Sequence, residues 1–306
     1  MKKSKSNVSH MEKINMVSKP TNVLLNLFFV LICATCVYPM LLVIATSFNS
    51  EDAIKLYGFT VIPREFTIYA YEYILANANT ILRAYGVTIF VTAIGTVLTV
   101  VVCGLYGYAI SRHEFKYRKL LTFYMFFTML FSGGTVPWYL ICSRVLHITN
   151  TIWALILPMI CSAWNIIILK TFFQTSVPDE IIESGRLDGA SEMRIFFKIV
   201  CPISLPGLAT IALFAMLGYW NDYYNPLMLT TDPDLQNLQL YLYNILKTAS
   251  MLSTMAAGAG EAAVKQLPQE SARMAICVVS VAPIVFAYPF FQRYFIQGLT
   301  VGAVKG

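Results

Sequence analysis

Six apolar runs, each long enough to cross a bilayer, constrain this chain more than any other feature of its sequence. A transmembrane helix needs roughly 20 mostly apolar residues, and the runs cover residues 22–48, 84–110, 119–142, 151–172, 204–229 and 274–296. Pro and Gly interrupt several runs, which a bundle tolerates because neighbouring helices and water satisfy the freed backbone groups. The sequence therefore predicts an all-α membrane protein with one six-helix transmembrane domain over residues 22–296.

The composition also indicates that lipid is the solvent of this chain. Hydrophobic residues make up 57% of it and charged residues only 12%, whereas soluble domains carry about 25% charged residues. The net charge of +6 does not indicate nucleic-acid binding, because the basic residues lie at the ends of apolar runs and form no single basic face. The CxxC pair Cys33 and Cys36 lies inside an apolar run, so we interpret both thiols as small hydrophobic groups and predict no metal site.

The Lys and Arg residues predict the orientation of the chain, because cytoplasmic loops carry an excess of both. With a cytoplasmic N-terminus, fifteen of them fall inside and seven outside. We therefore expect a basic cytoplasmic segment over 1–21, a cytoplasmic tail over 297–306, and a bacterial inner (plasma) membrane location. The first run follows basic residues but lacks the cleavage site of a signal peptide, so we expect it to remain in the membrane.

One predicted cytoplasmic loop, residues 173–203, is too long to be a simple connection, since helix–helix connections usually take 2–8 residues. Ser176 is a candidate helix cap, and acidic residues follow it in the first turn, where they favour the helix dipole. Asp188 and Gly189 form a turn signal, and Ser191 is a second candidate cap. The loop is therefore predicted to be a helix–turn–helix at the membrane surface.

This loop resembles the EAA loop of ATP-binding-cassette importer permeases. The family pattern is Glu-Ala-Ala, three residues, Gly, nine residues, then Ile-x-Leu-Pro; here it reads Glu183-Ser184-Gly185, Gly189, and Ile199 to Pro202. Other stretches are similar to the MalG-like permeases of the carbohydrate-uptake branch: GYAISRHEFKYRK, GYWNDYYNPL and YPFFQRYFIQGLTVGAVKG. The last stretch is most similar to the subgroup that handles oligosaccharides and polysaccharide fragments.

The resemblance implies roles for particular residues. The loop would dock in a cleft of a cytoplasmic ATPase, through Glu183, Ser184, Gly185, Asp188, Gly189, Ala190, Ile199 and Pro202. The terminal segment, with Gly302 and Lys305, would reach between the ATPase subunits, or be a frayed tail. Four basic residues after the second run (Arg112, Lys116, Arg118, Lys119) either contact the ATPase or enforce the topology.

The fifth run ends in a polar and aromatic group, Trp220, Asn221, Asp222 and Tyr223. Aromatic rings stack on sugar C–H faces and amides bind hydroxyls, so these residues are candidates for a cavity or gate. The alternative interpretation is an aromatic belt at the membrane interface. Asp222 is the only acid within a predicted span.

The function implied is that of an importer permease subunit for a sugar or oligosaccharide, with no catalytic residues of its own. The chain has no GxxxxGK[ST] pattern, so ATP and Mg²⁺ would bind a partner ATPase and this chain would hold no cofactor. The implied partners are a second homologous permease, an ATPase dimer and an extracellular solute-binding protein. The alternatives are the same type of permease for a non-sugar solute and an ion-coupled carrier.

Overall fold

The computed structural model describes residues 19–76, 78–256 and 270–303, and helices joined by irregular segments make up these ranges. They contain no strand, and their one extended pairing is a bridge between Asn49 and Phe66. The first seven helices are α1 Lys19–Ser47, α2 Glu51–Tyr57, α3 Tyr69–Ala76, α4 Ala78–Ser111, α5 Arg118–Leu130, α6 Thr135–Leu140 and α7 Trp153–Ile160. They are followed by α8 Ala163–Ser176, α9 Asp179–Leu187, α10 Glu192–Ile195, α11 Leu205–Trp220, α12 Tyr224–Leu229, α13 Leu238–Ala256 and α14 Glu270–Ala303.

Two of these helices are each long and apolar enough to cross a membrane, namely α1 and α4. Three further pairs pass the same test only when each is taken as one bent span, which gives up to five candidates in the described ranges. The bends are 118° between α5 and α6 with its continuation to Val145, 48° between α7 and α8, and 87° between Glu192–Ile203 and α11. The six-span count remains a prediction.

Local sequence explains why the apolar runs are interrupted. The run over 119–142 stops being helical at 131–134, where Gly134 has a φ of +83°, a conformation that Gly adopts without steric cost. The run over 151–172 breaks before α8, where the Ser162 hydroxyl accepts from the Asn165 N–H. Pro206 lies in the first turn of α11, where its missing N–H breaks no helical hydrogen bond.

The described residues divide into two compact units, of which the first comprises 19–72 and 270–278. Most side chains of α1 are exposed although they are apolar, as expected of a helix that contacts lipid. Within this unit Glu51 accepts hydrogen bonds from the backbone N–H groups of Glu270 and Ser271, and so supplies acceptors at the start of α14. Phe48 stacks between Phe66 and Tyr71.

The second unit comprises 73–267 and 279–306, of which the structure describes 73–76, 78–256 and 279–303, and it contains two buried clusters. One cluster joins the C-terminal half of α4 to α8, α9 and α10, with Phe173, Ile182, Ile195 and Phe196 among its buried members. The other joins the N-terminal half of α4 to α7 and α11, and Tyr219 lies within it. Helix α4 therefore connects both clusters and is the central element of this unit.

Tyr219 shows how closely α4 and α11 approach each other. Its hydroxyl donates to the Ile156 carbonyl at 2.9 Å and lies 3.3 Å from the Thr99 hydroxyl. Its ring lies against Gly95 of α4, where an added Cβ would fall 2.5 Å from the ring. Gly95 is therefore required by packing and not by backbone conformation.

We expect Gly95→Ala to destabilise the chain, because the new methyl group forces the Tyr219 ring off its buried hydrogen bonds. Overpacking of this kind costs about 1–3 kcal/mol. The matched control is Gly86→Ala in the same helix, where no atom lies within 4 Å of the new Cβ and better helix propensity adds about 0.5–1 kcal/mol. The midpoint of thermal unfolding in detergent should fall for the first variant only. Equal midpoints would contradict the packing argument.

Candidate functional site

The segment from α9 to Ile203 forms a helical hairpin, which we call the coupling hairpin. Helix α9 begins after Pro178 with Asp179 and Glu180 in its first turn. The prediction of Ser176 as a cap is wrong, since Ser176 is the last residue of α8 and Pro178 precedes the first turn of α9. The second predicted cap is correct, since the Ser191 hydroxyl accepts from the Arg194 N–H.

The turn of the coupling hairpin is a Schellman motif centred on Gly189. The Ala190 N–H donates to the Gly185 carbonyl at 3.0 Å and the Gly189 N–H donates to the Arg186 carbonyl at 2.9 Å, which is the paired pattern of this helix end. Gly189 has a φ of +78° and no atom within 4 Å of a Cβ position. The need for Gly at 189 is therefore conformational, whereas the space around it is open.

The two helices of the hairpin pack through small and branched side chains. A Cβ on Gly185 would lie 3.2 Å from Ile199 Cδ1 and 3.4 Å from Ile195 Cγ1. The structure thus brings together two positions of the sequence motif, 185 and 199, that are separated by the turn. Continuous with α10, a π-helical turn over Phe196–Val200 and a short helix over Cys201–Ile203 lead to α11, so Pro202 lies just before the 87° bend.

The outer face of α9 is exposed and mixes acidic groups with one large apolar side chain. Glu183, Ser184, Asp188 and Gly189 are all exposed, and Glu183 has no hydrogen bond or ion pair within the described residues. Leu187 is 90% exposed, and the sequence analysis did not single it out as a contact residue. This face has the composition of a protein-binding surface in which an apolar centre is surrounded by polar groups.

Ion pairs hold the coupling hairpin to the segment that follows α4. Arg186 donates through Nε to Glu192 at 2.6 Å and through Nη1 to Glu114. The Tyr108 hydroxyl of α4 donates to the other Glu192 oxygen at 2.9 Å. Glu192 therefore connects both helices of the hairpin with the end of α4.

The charges of this cluster perturb one another. Burial acts to raise the pKa of Glu192, but the hydrogen bonds from Arg186 and Tyr108 and the charges of Arg186 and Arg112 lower it by more, so the pKa of Glu192 lies below its usual value. The hydrogen bond to Glu192 is also the main reason that the pKa of Arg186 is raised. Both groups are therefore held in their charged forms.

The buried side chain of Arg112 forms a second connection between the end of α4 and the coupling hairpin. This side chain donates to the Ser111 hydroxyl at 2.9 Å, to Asp179 Oδ1 at 2.8 Å and to the Phe173 carbonyl at 3.5 Å. Its guanidinium also lies 5.3 Å from the centre of the Tyr108 ring. Only 6% of the Arg112 surface is exposed. The ATPase contact and the topology signal that the sequence suggested for Arg112 both stay predictions.

The candidate cavity group after α11 does not act as one unit. Trp220 is buried, and its indole N–H donates to the Ser280 carbonyl. Asp222 accepts from the backbone N–H groups of Tyr224 and Asn225 and from the Asn225 side chain. Its carboxylate therefore caps α12, while Asn221 and Tyr223 are exposed.

Aromatic partners that lie far away in sequence complete this region. Tyr223 stacks on Tyr243 with ring centres 5.4 Å apart, and Trp138 lies 5.6 Å from Tyr224. Gln239 donates to the Asn221 side chain at 3.5 Å. We call these residues the aromatic platform. Sequence reasoning missed Trp138 and Tyr243, since no local signal relates them to the fifth run.

The structure says less about a metal site and about the two ends of the chain. No three His, Cys, Asp or Glu side chains of the described ranges lie together as metal ligands would. Gly302 falls within the last turns of α14, whereas Lys305 and residues 1–18 lie outside the described residues.

Comparison with known proteins identifies the family. Residues 100–301 match the model of the family described as binding-protein-dependent transport system inner membrane component. Protein LplC of Bacillus subtilis (strain 168) is 38% identical over 89% of this chain and 90% of its own length. The polygalacturonan/rhamnogalacturonan transport system permease protein YtcP of the same organism is 38% identical over 91% of this chain and 96% of its own length.

A solved structure shares the fold. It is the crystal structure of a bacterial ABC transporter involved in the import of the acidic polysaccharide alginate. One of its chains superposes with a TM-score of 0.77 at 24% identity, over 92% of this chain and 99% of that one. The fold match, the family model and the two relatives agree over most of the chain. This protein therefore belongs to the family of inner-membrane components of binding-protein-dependent transport systems, which are transport components and not enzymes.

Proposed function

We propose that this chain is one permease subunit of an ATP-driven importer and forms half of the translocation path for an oligosaccharide or polysaccharide fragment. The observation that carries the proposal is the coupling hairpin, whose exposed face on α9 is held rigidly to α4 by buried and paired charges. The names of YtcP and of the alginate importer support a saccharide cargo. A second homologous permease completes the path, and a solute-binding protein delivers the cargo from outside.

In the proposed arrangement six spans cross the membrane, both termini are cytoplasmic and residues 173–203 face the cytoplasm. ATP and Mg²⁺ are bound by a separate ATPase dimer, and this chain binds no cofactor. Glu183, Asp188 and Leu187 enter a cleft of that ATPase, and Gly189 lets the turn approach it closely. The tail around Gly302 and Lys305 adds a second contact.

The hairpin transmits movement because it has few internal degrees of freedom. Gly185 packs against Ile195 and Ile199, so the two helices move as one body. The chain then passes without a loop into α11, which contacts α4 through Tyr219 and Gly95. Closure of the ATPase would therefore tilt α11 and α4 together and alter the path between the two permeases.

The aromatic platform is the proposed cargo contact of this subunit. Tyr223 and its stacked partner Tyr243 offer ring faces to sugar C–H groups, and Asn221 offers an amide to hydroxyls. Asp222 holds the start of α12, next to Tyr223, by accepting hydrogen bonds from the Tyr224 and Asn225 N–H groups. These hydrogen bonds also weaken the ion-coupled alternative. Asp222 is the one acid of the predicted spans, and its carboxylate already accepts three hydrogen bonds within the chain. The same machine with a non-sugar cargo remains the second candidate.

We expect Glu183→Lys to reduce uptake at least tenfold while the chain still inserts, because the reversed charge faces the ATPase cleft. The control is Glu180→Lys, the same reversal one turn earlier on α9 and outside the EAA pattern. Uptake of labelled oligosaccharide and co-purification of the ATPase are measured together. Normal uptake by Glu183→Lys would remove the docking assignment.

At the turn, Gly189→Val should abolish uptake, since a β-branched residue strongly disfavours a positive φ. Asn tolerates this conformation, so Gly189→Asn should retain much more transport. The comparison separates the backbone requirement from the loss of space, because no atom lies within 4 Å of the Cβ position. Equal defects in the two variants would contradict the conformational argument.

The pairing of Arg186 with Glu192 predicts non-additive effects. Arg186→Gln and Glu192→Gln should each lower the ATPase activity stimulated by the loaded binding protein, and the double variant should be no worse than either single one. Because the folded-state pKa of Glu192 is lowered, its stabilisation is complete above the unfolded-state pKa and is lost as the pH falls through the folded-state value. Thermal unfolding across that acid range should show this loss in the wild type and not in Glu192→Gln. Additive losses would show that the pair does not act as a unit.

For the platform, Tyr223→Ala should raise the cargo concentration needed for half-maximal uptake with little change in thermal stability, since Tyr223 is 45% exposed. Asp222→Ala should lower stability by about 1 kcal/mol, because α12 loses its cap. Uptake kinetics and unfolding midpoints distinguish the two effects. A stability loss without a kinetic change in Tyr223→Ala would make this residue structural.

A further inference from the structure

A basic groove lies between the segment that links α4 to α5, the first half of α5 and Lys170 of α8. Its volume is about 930 Å³, and its lining residues are His113, Glu114, Phe115, Lys116, Arg118, Lys119, Thr122, Phe123, Phe126 and Lys170. Four of these are Lys or Arg and one, Glu114, is acidic. Three of the four (Lys116, Arg118 and Lys119) are residues that the sequence analysis assigned either to an ATPase contact or to the topology, and the fourth is Lys170 of α8.

The positive charge of the groove is not neutralised within the described residues. Lys119 and Lys170 make no hydrogen bond or ion pair there, and Arg118 bonds only to His113 Nδ1, at 2.8 Å. Lys116 lies over the ring of Tyr117. The one acid, Glu114, is engaged by Arg186 of the coupling hairpin. The groove therefore has an excess of positive charge that a bound anion would balance.

The start of α5 adds to this excess. The first turn holds Arg118 and Lys119 and no acidic residue, and Tyr117 provides no side-chain cap. Cations are unfavourable beside the positive end of a helix dipole, whereas an anion there is stabilised by the dipole and the free N–H groups. Helices usually have acidic residues in their first turn, whereas α5 has two basic ones. This turn lies at the edge of a groove that already has an excess of positive charge.

The chemistry changes from basic to apolar along α5. Leu120, Phe123, Phe126 and Phe127 are exposed large apolar residues, and two of them line the groove itself. A soluble anion would gain nothing from these side chains, whereas acyl chains would cover them. We propose that the basic groove binds the phosphate headgroup of an anionic phospholipid, whose acyl chains lie along α5. This inference rests on the proposed membrane orientation, which puts the groove at the cytoplasmic interface, where basic pockets between helices recognise anionic headgroups.

The test uses the intact transporter, purified with its partner subunits in a neutral detergent and titrated by native mass spectrometry. The probes are dioleoylphosphatidylglycerol, dioleoylphosphatidylcholine and inorganic phosphate. The groove variant is Lys119→Gln with Lys170→Gln. The matched control is Arg194→Gln with Lys198→Gln, which removes two exposed positive charges from the same predicted side of the membrane but outside the groove.

The expected result is that the wild type binds phosphatidylglycerol more tightly than phosphatidylcholine. The groove variant should bind phosphatidylglycerol about tenfold or more weakly, since each basic residue near an anionic lipid surface contributes about 1 kcal/mol. The control should bind like the wild type, and inorganic phosphate at equal concentration should displace no lipid.

Other results would overturn the proposal. Equal weakening in the groove variant and the control would show an unspecific charge effect, and equal affinity for the two lipids would remove headgroup recognition. Displacement by inorganic phosphate would indicate a site for a soluble anion. Loss of the ATPase from the groove variant with unchanged lipid binding would assign the groove to a protein interface. The lipid result is independent of the Glu183 and Gly189 uptake tests, so either proposal can fail without the other.

Discussion

The arrangement of α4, α8 and α9 depends on the buried guanidinium of Arg112. Arg112 is the first residue after α4. Its guanidinium contacts the Ser111 hydroxyl, the Asp179 carboxylate, the Phe173 carbonyl and the face of the Tyr108 ring. A buried cation is tolerated only when its donors are satisfied, so the positions of α8 and α9 are fixed relative to α4. Removal of one partner would leave a buried charge uncompensated, which costs more than the pair itself contributes.

The Arg186 cluster completes this constraint on the side of the turn. Arg112 fixes the beginning of α9 through Asp179, whereas Arg186 fixes its end through Glu114 and Glu192. The helix is thus tied at both ends while its outer face stays open. The force transmission that we propose for this hairpin needs this combination, since a loosely attached hairpin would rotate and leave the spans unmoved.

The pattern of apolar runs predicted the helical class, and loop punctuation predicted the hairpin, its Gly189 turn and the Ser191 cap. These features are encoded locally, in residues within one or two turns of each other. The sequence predicted only that Gly and Pro would interrupt the apolar runs. It did not predict the bend angles, because a Gly or Pro shows where a helix can break but not the angle between its two parts. The role of Arg112 and the stacking of Tyr223 on Tyr243 were not predictable, since both depend on partners distant in sequence.

The beginnings of α9 and α5 differ in a way that bears on function. In α9 Asp179 and Glu180 occupy the first turn, so local electrostatics favour the helix and its stability needs no ligand. In α5 Arg118 and Lys119 occupy the same positions, and the local rule is broken. Sequences that break a local rule usually have a compensating interaction elsewhere. For α5 the described residues supply apolar packing through Met125 but no anion, and the open basic groove is where such an anion would lie.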